Sequence, residues 1–146
     1  MPRLLVVHHT PSPALHAVLA AVEEGVALVE DVVLTVRPAL SAGAADVLAT
    51  DGVLLGTPAN IGYMSGALKH FFDTVYYPCL DATAGLPYAV YVHGNDDTAG
   101  ALVSVQRITG ALRWKQVAAP LSLTGTPDRA DLEACRELAA TVAVGL

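Results

Sequence analysis

The sequence is poor in the residues that announce metal, thiol-redox or nucleic-acid chemistry. Its two cysteines, Cys79 and Cys135, stand far apart and form no CxxC pair, which excludes a zinc ribbon and a thioredoxin-type motif and leaves two reduced thiols as the expectation. The five histidines, His8, His9, His16, His70 and His93, lack metal-ligand spacing, so no metal is expected. Lysine and arginine number 8 against 14 aspartates and glutamates, a formal charge of -6. No basic patch offers itself to a phosphate backbone, so no nucleic-acid partner is expected and any anionic ligand must be held by local groups. Long hydrophobic runs are missing too: charges such as Glu30, Asp31 and Arg37 interrupt every apolar stretch before the roughly 20 residues that span a bilayer. Only Leu4 to Val7 separates Met1-Pro2-Arg3 from His8-His9, too little for a signal-peptide core, so a cytoplasmic location is expected. A Walker A loop, a G-x-G-x-x-G turn and a G-x-S-x-G elbow are all lacking.

What the chain has is apolar material in solid blocks. At 146 residues it is the size of one domain, and 53% of those residues are hydrophobic. Blocks rather than alternation indicate strands covered on both faces, as in a parallel sheet. Leu4 to Val7 is the first such block, followed by Leu15, Val18, Leu19 and Val22 at helical spacing within Ala14 to Glu24, with Gly25 suited to the helix end. Asp31 to Val36 reads as a β-branched second strand closed by Pro38, with Val26 to Val29 as an alternative block. Ala44 to Leu48 is a short helix. Gly52 to Gly56 is a third strand, ended by Thr57-Pro58.

The period then switches back. From Ser65 onward Leu68, Phe71, Phe72 and Val75 form a helical stripe that Tyr76-Tyr77-Pro78 ends. Leu86 to Val92 is a fourth strand, and Ala101, Val105, Ile108 and Leu112 share a helical face. Val117 to Leu123 is a fifth strand, and Thr126-Pro127 opens a last helix carrying Leu132, Cys135, Leu138, Ala139 and Val142. Strands and helices alternating across short connections predict one α/β domain, residues 1–146. Its architecture is a doubly wound, five-stranded parallel sheet in the flavodoxin-like order 2-1-3-4-5, with helices on both faces. Ligands in such sheets lie beyond the carboxyl ends of the strands at the switch point, here between the first and third strands. His8 to Ala14, Thr57 to Met64 and His93 to Gly100 converge there.

Each loop has a functional and a plain reading. His9-Thr10-Pro11-Ser12-Pro13-Ala14-Leu15 leaves a strand for a helix N-terminus, which favours a phosphate, and Thr10 and Ser12 add hydroxyls. Ser12-Pro13 is equally an ordinary cap followed by a favoured first residue. In Pro58-Ala59-Asn60-Ile61-Gly62-Tyr63-Met64, Gly62 is free to take positive φ and turn amides outward, toward the edge of a flavin ring or simply into a tight turn. The third loop offers His93, Gly94 and Asn95. His9 and His93, at strand ends, are candidates to bond a ligand oxygen or to cap their loops.

Gly56-Thr57-Pro58, Gly62, Met64-Ser65-Gly66, Leu68-Lys69 and Phe71-Phe72 before Asp73 carry a resemblance. Over Asp51 to Asp73 the chain is similar to the flavodoxin-like NADPH-dependent FMN reductase and NAD(P)H quinone reductase family, and more loosely elsewhere. The resemblance implies non-covalent FMN and NAD(P)H-dependent reduction of a quinone, flavin or other small acceptor, in a homodimer or homotetramer. It implies that Pro58, Ala59, Asn60, Ile61, Gly62 and Met64 frame the flavin ring, while the cofactor performs the chemistry and no catalytic side chain is needed. The chain departs from that family at Pro11, Pro13 and Leu15 in the phosphate loop, and at Asp96-Asp97, whose charge either opposes an anionic flavin or faces solvent, as paired acids in a loop usually do. Two alternatives stand beside this reading: a module of the same fold without FMN that serves binding or assembly, and a one-electron carrier.

Overall fold

Leu4 through Val7 are buried almost completely, as are Val53 to Leu55 and Tyr88 to Val92, because each belongs to a strand with helices on both sides. The computed structural model describes residues 1–146. Its elements are β1 (Arg3–His8), α1 (Pro13–Ala27), β2 (Val33–Pro38), α2 (Ala44–Leu48), β3 (Gly52–Asn60), β4 (Tyr63–Met64), α3 (Gly66–Cys79), β5 (Pro87–Gly94), α4 (Ala99–Ala111), β6 (Lys115–Gln116), β7 (Leu121–Thr124) and α5 (Arg129–Val144). The parallel sheet runs β2-β1-β3-β5, with β6 and β7 both pairing with β5. Counting β6 and β7 as one interrupted strand, this is the expected 2-1-3-4-5 order. Leu5, Val7, Leu55 and Val90 face Phe71, Phe72 and Val105 of α3 and α4, while Leu4, Val6, Leu54 and Tyr91 face α1 and α5. Burial on this scale contributes about 1.5–3 kcal/mol per large side chain relative to exposure. No helix is long and apolar enough to cross a membrane.

Several boundaries differ from expectation. The first helix runs through Gly25 to Ala27, because Gly25 is needed for packing: a Cβ there would lie 2.3 Å from the Arg136 carbonyl oxygen of α5. The second strand occupies Val33–Pro38 rather than Asp31 to Val36, since Asp31 sits at positive φ in the turn before it. Strand β3 continues through Pro58 to Asn60. The Gly56 carbonyl accepts from the His9 N–H where β1 ends, and Pro58 points the same way two residues on, so its missing donor forgoes no ladder bond. The third helix includes Pro78 and ends one residue later, at Cys79. The fifth strand is split around Val117 to Pro120. Asp128, not Thr126, caps the last helix: its carboxylate accepts from the Asp131 N–H at 2.8 Å, and Asp131 returns a bond to the Asp128 N–H at 2.9 Å.

Candidate functional site

Register brings the three loops together. His8 pairs with Gly56 across β1 and β3, and Pro58 pairs with His93 across β3 and β5, so all three loops leave the carboxyl ends of neighbouring strands. This is where open α/β sheets hold their ligands.

In the first loop Ser12 is the N-cap of α1, with Pro13 at the first helical position. Its Oγ accepts from the Leu15 N–H at 3.2 Å, which leaves its own hydrogen available to a ligand. That bond occupies the Leu15 amide, and the Leu15 side chain is buried in the core, so this residue supplies packing rather than a donor. The amides of Thr10, Ser12 and Ala14 have no protein acceptor. Thr10 Oγ1 lies 2.7 Å from His8 Nδ1, and His9 Nδ1 is buried without any partner. Three unmet amides, a free hydroxyl hydrogen and an orphaned imidazole nitrogen form a donor-rich, acceptor-poor set. That set fits the phosphate of FMN.

The second loop is a β-hairpin. Ala59 and Asn60 pair with Met64 and Tyr63, and the two tip residues, Ile61 and Gly62, both adopt positive φ, 51° and 70°. A positive φ in a β-branched, fully exposed isoleucine is strained, and such strain persists only where the surroundings impose it. Here they do. A Cβ on Gly100 of α4 would lie 2.2 Å from the Gly62 carbonyl oxygen, so glycine is required for that close approach. Ser104 Oγ accepts from the Met64 N–H at 3.1 Å and donates to the Ala101 carbonyl at 2.7 Å. Thr57 Oγ1 accepts from the Ser65 N–H at 2.9 Å, and Ser65 caps α3 by accepting from Leu68 at 3.2 Å. At the root of the hairpin the Tyr91 ring fills the space a Gly56 side chain would occupy. Its hydroxyl is buried and unpartnered, and burial pushes its pKa up.

The residues expected to frame a ring therefore divide. Asn60, Ile61 and Gly62 are exposed at the tip and Ala59 is half-buried, whereas Pro58 and Met64 are buried supports. In the third loop His93 is buried and its Nε2 lies 2.7 Å from the Gly125 carbonyl, tying β5 to the turn after β7. Gly94 packs against Ala59, and of the three candidate residues in this loop Asn95 alone is exposed. Asp97 accepts from the Ala99 N–H at 2.9 Å, which places its charge favourably at the start of α4. Gly100, Ser104 and Tyr91 were not identified as site-forming from the sequence. Nothing in the periodicity distinguishes a helical glycine that touches a distant hairpin from any other.

No protein-family model and no curated protein matches the chain. Among solved structures it is similar to a flavodoxin from the domain Archaea, at 16% identity over 98% of this chain and 97% of that one, with a TM-score of 0.86. It is similar to oxidised flavodoxin 1 from Bacillus cereus, at 17% identity over 99% of each chain and a TM-score of 0.84. A WrbA-like flavodoxin from Agrobacterium tumefaciens matches at 19% identity over 99% and 97%, with a TM-score of 0.79. The chain has the flavodoxin-like fold.

Proposed function

We propose that this protein binds FMN at the carboxyl ends of β1, β3 and β5 and uses it to pass reducing equivalents from NAD(P)H to a quinone, flavin or similar small acceptor. The observation that carries the reading is the strained Ile61-Gly62 tip, held open beside a loop whose donors lack acceptors. Thr10, Ser12, His9 and the free amides hold the phosphate, and Asn60 to Gly62 position the ring. FMN itself supplies the hydride chemistry when bound. Asn95 and His93 complete the third side, His93 through the loop it fixes.

A reductase is favoured over a one-electron carrier because the loops offer no pair of aromatic side chains that would cover both faces of the ring. Tyr63 is the only aromatic side chain at the hairpin, and Trp114 is buried against Phe72 and Tyr88, with its Nε1 donating to Thr83 at 2.8 Å. The exposed Tyr77 and half-buried Tyr76 offer a surface for the homodimer or homotetramer, which light scattering at micromolar concentration tests. The functional test is NAD(P)H oxidation by FMN-loaded protein with a quinone present. Turnover supports the reductase; bound flavin without turnover, but with one-electron exchange with a redox partner, makes it a carrier.

A further inference from the structure

Three imidazoles border one concavity beside the β1–α1 loop. His8, His9 and His16 line a cavity of about 270 Å³ together with Thr10. The other elements around it contribute only uncharged groups, among them Leu19 of α1, Leu40 after β2 and Ala67 of α3. No carboxylate lines the cavity. The nearby cations are engaged elsewhere: Arg37 with Asp46 at 3.5 Å and Lys69 with Asp73 at 2.5 Å.

The imidazoles lack a countercharge. Burial holds His8 below its ordinary pKa, and the neighbouring His9 and His16 push it further the same way. His9 Nδ1 is buried without a partner. Pro11 and Pro13 remove two amides from the adjacent loop, and the N–H groups that remain are neutral dipoles that bring no full charge to a phosphate dianion. Histidine is the side chain that gains such a charge near neutral pH.

We propose that His8, His9 and His16 form a proton-charged pocket for the phosphate monoester of the flavin, so that binding takes up protons. This rests on the FMN reading above and adds His8 and His16 to the binding residues. A bound dianion favours the imidazolium form, so the His8 pKa, held low in the free protein, rises on binding. The affinity gain is therefore fully present below the free-state value and is lost as pH rises through the bound-state value.

The test is calorimetric titration of the intact protein with FMN and with riboflavin, which lacks the phosphate, at about pH 6.5 and pH 8.5, both above the phosphate's own second ionisation near pH 6. FMN is expected to bind on the order of tenfold tighter at the lower pH relative to riboflavin, with proton uptake visible as a buffer-dependent heat. His16→Gln, on the exposed face of α1, and His9→Gln should each flatten that ratio. Sulfate, a dianion throughout this range, separates the free anion from the flavin. It should shift the imidazole NMR resonances and compete with FMN at the lower pH only. An FMN-to-riboflavin ratio that is equal at both pH values and unchanged in both variants overturns the proposal. If neither flavin binds, the FMN reading fails on its own terms; sulfate shifts at the lower pH then uphold the anion pocket, and their absence overturns it as well.

Discussion

The β1–α1 loop and the β3–β4 hairpin stand side by side at the switch point of one sheet and are held in opposite ways. The loop is organised by its own residues: Ser12 caps the helix it begins, Pro13 occupies the first helical position, and Thr10 reaches back two residues to His8. The hairpin is organised from a distance, by Gly100 and Ser104 of α4 and by Thr57 beneath it. Local capping yields an unstrained loop with unmet donors, whereas long-range clamping sustains two consecutive left-handed residues at an exposed tip. The first arrangement suits a charged ligand end and the second a flat ring edge.

Substitutions separate the two. Gly100→Ala should have the largest effect, because its Cβ would displace the Gly62 carbonyl. Denaturant melts should show a loss of about 1–3 kcal/mol, and equilibrium titration should show FMN affinity falling by on the order of a hundredfold or more. Ser12→Ala should act on the loop alone, removing about 1 kcal/mol of cap and weakening FMN about tenfold while near-UV circular dichroism stays unchanged. Ile61→Gly should move the two readouts apart. Stability should rise by about 1 kcal/mol as the left-handed strain is relieved, yet flavin should bind several-fold more weakly because the tip loses its rigidity. Tyr91→Phe should be the smallest: removing a buried hydroxyl without a partner should leave the melting temperature level or slightly higher.

The same division explains what could be read from the chain. The solid blocks at Leu4 to Val7 and Val53 to Leu55, and the Ser12-Pro13 cap, depend on neighbours in sequence and were legible. Gly25 reads as a helix end in the sequence because its partner, the Arg136 carbonyl, is more than a hundred residues away. Pro58 reads as a stop in the sequence because the end of β1 beside it is a fact of register. In the candidate site, Gly62 was legible as a turn residue, but the strain at Ile61 and the clamp from Gly100 arise only when α4 packs on the hairpin. Asp97 reads in the sequence either as a charge opposed to the flavin or as a solvent-facing acid; it is exposed, and its bond to Ala99 adds a role at the start of α4.

Flavin, if bound, must engage both regions at once. Fluorescence titration of FMN into wild-type protein and the Gly62→Val variant tests this most directly, since a side chain at Gly62 meets no atom within 4 Å and acts through its φ of 70° alone. The expected result is one FMN per wild-type chain, with binding lost in the folded variant. Equal binding by the two, or none by wild type, would contradict the assignment of the site.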